Sequence, residues 1–594
     1  MKRALLLLSV ATAFAQAPPP STFIQVPAEE LTKLREALKP LTAKVGALSN
    51  NPLLPDVAIY EKAVQNLLNH PEEFYTKDYI NHAYNAIKTG LERASDIENN
   101  RAQWPRLAGP VIRAYKSKID DSYQPYKVTA PPGYTPTKPV RLDVILHGRN
   151  ARLTEASFIA PDAKPKLLPE NQTWIELEVY GRGNNAYRWA GETDVYEAIE
   201  AVRKNYNIDP DRILLRGFSM GGAGAWHIGL HNPSAFAGVE AGAGFTETIR
   251  YAKKPTPTPT ERANMRIYDA VDYALNIMNT PTVGYGGEID PQLQASVNIK
   301  DALEAERIAP NALFLVGPQT PHKWHPDSKK ESEAFLTKNL PRRMPERFRF
   351  VTFTPRYGHI WNWRVAALER TYARADIAGT RTNVLTKNIA ELELDAPGEV
   401  TIDGQTLKGK AFVKRMNRWE PRAGKPELRK RAGLQGPIDD AFMDRFLCVT
   451  DSPNPTLDTF AANFDKFFRG AVRRKSSAEV TKADIAESHL ILYGTPATNK
   501  LMAKVLKSLP IKWTANEIEV KGQRFDARDY TLALIQPNPL NTSKYIVFNA
   551  GHSFSKKDLE GTNALLYPRW GDWAVIDNKT GSIKASGLFD DNWR

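Results

Sequence analysis

The sequence predicts an α/β protein assembled from several units, and three observations carry that expectation. At 594 residues the chain is too long for a single hydrophobic core. From about residue 120 to about residue 345, apolar strand-like runs alternate with helical patterns, which argues for a mainly parallel sheet with helices on both faces. Outside that span the period changes. It is helical before it, short and β-rich after it, and alternating again toward the C-terminus.

Taken in order, Met1-Lys2-Arg3 precedes the apolar run Ala4 to Leu8 and the small-residue stretch Ala13-Phe14-Ala15-Gln16-Ala17. This is the charged, apolar, small-residue order of a secretory signal, with cleavage after Ala15 or Ala17. Residues 1–17 are read as a signal peptide, and the mature chain is expected to be secreted or periplasmic. No later stretch has the roughly eighteen uninterrupted apolar residues of a membrane span.

Residues 25–115 form a helical N-terminal region, in which Glu29 to Leu41, Asp56 to Asn69 and Phe74 to Ile97 carry apolar residues three and four apart. It shows no catalytic constellation, so a packing or lid role is expected. Residues 120–345 are the main α/β domain. Tyr115 to Ile119, Gln124 to Thr129, Val140 to Leu146 and Trp174 to Val179 read as strands; Asp194 to Asn205 reads as a helix, with Asp209-Pro210-Asp211 as a turn after it. Residues 346–430 are a β-rich domain with turn signals at Asp395-Ala396-Pro397-Gly398 and Asp403-Gly404, and Arg422 to Pro437 is a linker. Residues 431–594 are a smaller α/β unit, with apolar strands at Leu447 to Thr450, Ile491 to Gly494 and Ile546 to Asn549.

Composition narrows the function. The net charge of +13 is spread along the chain, and its densest clusters, Arg342-Arg343, Arg429-Lys430-Arg431 and Arg473-Arg474-Lys475, are short and far apart, so no nucleic-acid partner is expected. Cys448 is the only cysteine and lies in an apolar strand, which indicates a buried inert thiol. His227 and His231 are four apart on a helix, but no glutamate lies between them and the zinc-protease pattern fails, so helix packing is the better account. With no phosphate loop, dinucleotide loop or paired-cysteine site in the sequence, no metal and no cofactor are expected.

The chemistry gathers around Ile213-Leu214-Leu215-Arg216-Gly217-Phe218-Ser219-Met220-Gly221-Gly222, an apolar strand running into a tight turn and then a helix. Glycine at both second neighbours of a serine in that setting is the nucleophile-elbow pattern, although alone it also suits a plain glycine-rich turn. A serine hydroxyl needs a histidine to take its proton and a carboxylate to hold the imidazolium. The strand and loop Pro281 to Asp290 supply the acid, Asp290, with Glu288 as the alternative. One helix and one strand later, Gly317-Pro318-Gln319-Thr320-Pro321-His322 supplies the base, His322; His325 stands near a helix start, and His359 lies in the β region. Backbone N–H groups for the oxyanion are expected from Met220 and from Gly148 or Arg149 in His147-Gly148-Arg149-Asn150. The loop Tyr180 to Trp189 either lines a substrate cleft through Asn184, Tyr187 and Trp189 or is a plain surface loop.

Together, Gly217-Phe218-Ser219-Met220-Gly221-Gly222, His147-Gly148, Gly287-Glu288-Ile289-Asp290 and His322 resemble the catalytic domain of the prolyl oligopeptidase group and of related secreted bacterial esterases in the α/β-hydrolase superfamily. The resemblance implies an α/β-hydrolase fold over about residues 120 to 345, with Ser219 as nucleophile, Asp290 as acid and His322 as base. The chain departs from prolyl oligopeptidases proper in front of that domain, where a helical region too short to build a β-propeller stands. A secreted hydrolase of carboxylic esters, free or on an extracellular polymer, is therefore the leading expectation. A serine peptidase of the same group is the second, and a non-catalytic binding protein on a hydrolase fold the third. A histidine base also implies loss of activity on acidification.

Overall fold

The computed structural model describes residues 22–161, 172–254, 256–308 and 311–594, and the expected signal peptide, residues 1–17, lies outside them. The apolar spacing near the N-terminus produces three helices, α1 (Ala28–Ala47), α2 (Pro55–Asn69) and α3 (Asp78–Glu98). Helix α2 is the inner one, burying Val57, Ile59, Tyr60, Val64 and Leu67.

The main sheet follows: β1 (Gly109–Lys116), β2 (Tyr123–Ala130), β3 (Val140–Leu146), α4 (Glu155–Ile159), β4 (Ile175–Val179), α5 (Ala190–Asn205), β5 (Ile208–Phe218), α6 (Met220–His231) and β6 (Gly238–Gly242). It continues through α7 (Pro259–Arg266), β7 (Thr282–Gly287), α8 (Gln294–Ala305), β8 (Ala312–Gly317) and α9 (Pro326–Lys338). Its strand order is β1-β2-β4-β3-β5-β6-β7-β8, antiparallel at β1 and β2 and parallel from β4 onward. The nucleophile strand β5 is therefore central, paired with β3 on one side and β6 on the other.

Two local expectations shift. The first strand starts and ends earlier than Tyr115 to Ile119. Asp209-Pro210-Asp211 is drawn into β5 rather than standing before it as a turn. Val140 faces Ile208 and Leu142 faces Ile213, so this stretch bulges opposite one residue of β3, which accommodates a proline with no N–H to donate.

The β-rich part comprises β9 (Phe348–Thr352), β10 (His359–Ile360), β11 (Trp363–Leu368), β12 (Ala375–Gly379), β13 (Asn383–Lys387), β14 (Ile389–Ile402), β15 (Gln405–Arg415) and β16 (Arg418–Pro421), in one sheet. The C-terminal part comprises β17 (Phe446–Val449), α10 (Pro455–Phe468), β18 (Arg474–Lys475), α11 (Lys482–Glu487), β19 (His489–Leu492), α12 (Lys500–Leu506), β20 (Lys512–Trp513), β21 (Glu517–Val520) and β22 (Gln523–Asp526). It ends with β23 (Tyr530–Asn538), β24 (Asn541–Phe548), α13 (Lys556–Glu560), β25 (Trp573–Asp577) and β26 (Ile583–Gly587). Its principal sheet runs β18-β17-β19-β24-β23-β25-β26, with β17, β19 and β24 parallel. Cys448 is buried in β17, where burial pushes its thiol pKa up.

One contiguous apolar core joins the N-terminal helices, the main sheet and the C-terminal sheet, through residues such as Leu34, Val144, Leu215, Phe446 and Ile546. The β-rich part keeps a core of its own around Phe350, Trp363, Leu392 and Trp419. Buried polar contacts reinforce the first union: Arg469, just after α10, pairs with Glu73 at 2.7 Å. Among the described residues no helix is long and apolar enough to cross a membrane.

Candidate active site

Strand β5 hands over to α6 within one residue, and the turn demands an unusual backbone. Ser219 sits at φ 59° and ψ −121°, in a region that non-glycine residues rarely occupy. The flanking glycines make the turn possible. A Cβ on Gly217 would lie 1.9 Å from the Gly221 carbonyl oxygen, and one on Gly221 would lie 2.0 Å from that of Leu146. Ser219 N–H donates to Gly242 O at 2.8 Å, which ties the elbow to β6. The hydroxyl is thereby held at the carboxyl end of the central strand, with the start of α6 behind it.

The loops after β7 and β8 bring the other two groups to that point. His322 Nε2 lies 2.8 Å from Ser219 Oγ, and His322 Nδ1 lies 2.7 Å from Asp290 Oδ2. With the Nδ1 hydrogen donated to the carboxylate, the Nε2 lone pair faces the serine hydroxyl. The Asp290 side chain is 2% exposed, its other oxygen accepts from Gln292 N–H at 2.9 Å, and the His322 side chain is 42% exposed. The acid is thus buried and fixed, while the base opens to solvent. The alternatives go elsewhere. Glu288 accepts from Gln319 at 2.7 Å, His325 caps α9 through Asp327 N–H, and His359 pairs with Asp395 at the β-rich surface.

Of the expected oxyanion donors, Met220 and Gly148 lie beside the serine. Met220 N–H begins α6 and has no intrahelical acceptor. Gly148 passes close by: a Cβ on it would be 3.6 Å from Phe218 O and from Ser219 Cβ. That is an ordinary contact, so glycine is not sterically required at 148. Arg149 N–H follows in the same loop, and the Arg149 guanidinium reaches across to the C-terminal part, donating to Gly561 O at 2.7 Å.

The loop from Tyr180 to Trp189 corrects the sequence reading. Tyr187 and Trp189 are fully buried and line no cleft. Six residues of the loop, Gly181, Arg182, Gly183, Ala186, Tyr187 and Trp189, have positive φ, which coils it inward. Tyr187 packs on the edge of His147, and Trp189 packs on Tyr268, His552 and Phe554 between the main and C-terminal sheets. Asn184 stays at the surface and exchanges hydrogen bonds with the backbone of Asn150, bracing the loop that holds Gly148 and Arg149. His227 and His231 are buried and hydrogen-bonded to Glu192, Tyr268 O and Ile267 O.

Several supporting residues escaped the sequence reading. Arg216, three residues before the nucleophile, donates to Asp143 of β3 at 2.8 Å, to Glu240 of β6 at 3.0 Å and to Glu333 of α9 at 2.6 Å. Lys329 of α9 adds a bond to Glu240 at 2.6 Å. Burial would raise the Glu240 carboxyl, but Arg216 and Lys329 overcome it and hold its pKa at about 2. The network clamps α9, which starts just after His322, onto the strands that carry Ser219. Arginine inside Leu214-Leu215-Arg216 and glutamate inside Val239-Glu240-Ala241 were the available signal, because charges in central strands need partners. Tyr285 adds a second brace. Its ring stacks on Trp324 at 4.0 Å, and its hydroxyl accepts from His325 N–H and donates to Lys323 O, both at 2.8 Å.

Residues 179–338, which span the nucleophile, acid and base, match the prolyl oligopeptidase family profile. No curated protein matches the chain. Among solved structures, dipeptidyl peptidase 4 from Porphyromonas gingivalis is similar at 16% identity and a TM-score of 0.31, over 41% of this chain and 37% of that one. A puromycin-hydrolyzing peptidase from Mycobacterium tuberculosis is similar at 17% identity and 0.30, over 39% of each chain. A ferulic acid esterase is similar at 20% identity and 0.28, over 39% of this chain and 98% of that one. The chain thus spans less than two fifths of the length of these two peptidases. The matched region thus carries a Ser-His-Asp arrangement on a mainly parallel α/β sheet and resembles the prolyl oligopeptidase catalytic domain.

Proposed function

We propose that the protein is an exported esterase that cleaves carboxylic esters through an acyl-enzyme on Ser219. His322 takes the serine proton as Oγ adds to the ester carbonyl, and buried Asp290 stabilises the imidazolium. The oxyanion receives hydrogen bonds from Met220 N–H and from Gly148 or Arg149 N–H. His322 then protonates the departing alcohol, and water resolves the acyl-enzyme by the reverse path. The carrying observation is the joint geometry of 2.8 Å from base to nucleophile and 2.7 Å from base to acid.

The surroundings favour an ester over a peptide. A small pocket of about 150 Å³, lined by Gly244, Phe245, Tyr251 and Gln292, lies near the elbow, where Gly244 packs against the Ser219 backbone. The His322 side chain is 42% exposed, which leaves room beside the base for an alcohol that belongs to a polymer. The N-terminal segment that precedes the domain is helical rather than the β-propeller of prolyl oligopeptidases. Export is supported by the charged, apolar, small-residue order of residues 1–17.

The second reading, a serine peptidase, rests on the profile match over residues 179–338. Assays of the purified protein on p-nitrophenyl acetate and butyrate, and on prolyl p-nitroanilide peptides, separate the two. Turnover of the acyl esters with little or none of the peptides is expected, and hydrolysis of peptides alone overturns the esterase reading.

A further inference from the structure

We propose that the C-terminal α/β part holds a second ligand site, for a neutral saccharide, in the cavity at the carboxyl ends of β19, β24 and β25. The cavity measures about 640 Å³, within the range of ~300 to 1,000 Å³ of pockets that bury small organic ligands. In open α/β sheets the crevice outside the carboxyl ends of the strands is where ligands sit. Gly494 follows β19, Asn549 and Gly551 follow β24, Asn578 follows β25, and all four line the cavity. Its rim is rigid. Asn549, at φ 46°, accepts from Gly494 N–H at 2.8 Å and donates to Gly494 O at 2.9 Å, tying two strand ends together.

The lining decides the ligand class. One wall is aromatic: Phe460, Phe468 and Phe554 pack around the His552 ring, and half-buried Trp570 also lines the cavity. His552 stacks on Phe468 and Phe554, at 4.9 and 4.7 Å between ring centroids. Burial lowers the His552 pKa to about 3, so the wall is uncharged at neutral pH. The two ionic groups at the rim are already engaged. Lys556 pairs with Glu560 at 3.7 Å, and Asp577 accepts from the N–H groups of Lys579 and Thr580. These two groups are opposite in sign, and beside them the lining offers neutral amides and hydroxyls, among them Asn463 and Thr456 on α10. A sugar ring matches this pattern, with flat C–H faces for aromatic rings and hydroxyls around its edge for neutral amides.

The same segment serves both sites. Helix α13 gives Lys556 and Leu559 to the cavity, while Glu560 O and, just past it, Gly561 O hold the guanidinium of Arg149 in the oxyanion loop. The proposal stands apart from the ester or peptide question, because it concerns binding only. Its test is calorimetric titration of the full-length Ser219→Ala protein with cellohexaose, xylohexaose and mannohexaose. Saturable binding of at least one is expected, weakened about tenfold or more in the double variant carrying Trp570→Ala. If Trp570→Ala does not fold, Asn463→Ala, at a half-buried helix position, carries the same expectation. Absence of saturable binding for all three sugars up to about 10 mM overturns the proposal, and so does binding that neither substitution weakens.

Discussion

Two sheets in this chain share a construction, parallel strands with loops gathered at their carboxyl ends, yet only one of them ends in a nucleophile. At the end of β5 the turn is forced: two glycines admit no side chain, and Ser219 is driven to φ 59°. At the ends of β19 and β24 the turns use Gly494 and Asn549, and an amide ties them together around a cavity. The fold supplies the place in both cases, and the residue at the tip decides whether that place reacts or holds. The interiors differ as well. The main sheet buries Asp143, Arg216 and Glu240 in its central strands, whereas β17 of the C-terminal sheet is wholly apolar at Phe446, Leu447, Cys448 and Val449.

The largest effect that can sharpen this contrast falls on the acid. Asp290→Asn removes the carboxylate that orients His322 while leaving hydrogen-bonding atoms in place. A loss of kcat on the order of 10⁴-fold is expected, with thermal stability close to that of the parent. A loss of less than about tenfold would show that another group orients the base.

A smaller effect, on stability, tests the buried charges. Arg216→Leu removes the cation that Asp143 and Glu240 share, leaving Asp143 to Arg141 and Glu240 to Lys329, and a destabilisation of about 1 to 3 kcal/mol is expected in chemical denaturation. The pH dependence has a definite sign. Because the Glu240 pKa is depressed from the usual 4.5 to about 2, its contribution is complete above about pH 4.5 and is lost as pH falls toward 2. The folded-state gain of roughly 3 kcal/mol that this shift represents should disappear over that window. Glu240→Gln should flatten the acid limb of the stability profile, and an unchanged limb would remove the network from the account.

Much of the site could be read from the sequence because its signals are local. Strand β3 has the bounds its alternation predicts, Val140–Leu146, and the elbow glycines adjoin the serine they serve. The acid and base each follow an apolar strand, so chain order alone ranks Asp290 and His322 above their neighbours. What escaped depends on distant partners. Tyr187 and Trp189 looked like cleft residues, but Trp189 meets His552 and Phe554 from the far end of the chain, and no local pattern marks that contact. The bulge at Asp209-Pro210-Asp211 reads as a turn because only its pairing with β3 makes it part of a strand. The sequence marks Arg149 only by its N–H, and nothing nearby in sequence signals that its guanidinium reaches Gly561.

The central claim is that Ser219 is the activated nucleophile, and active-site labelling tests it most directly. The full-length protein should react with a fluorophosphonate probe, with the adduct mapped by mass spectrometry to the peptide containing Ser219. The Ser219→Ala variant, folded by circular dichroism, should not be labelled. Equal labelling of that variant, or no labelling of the folded parent, would contradict the account.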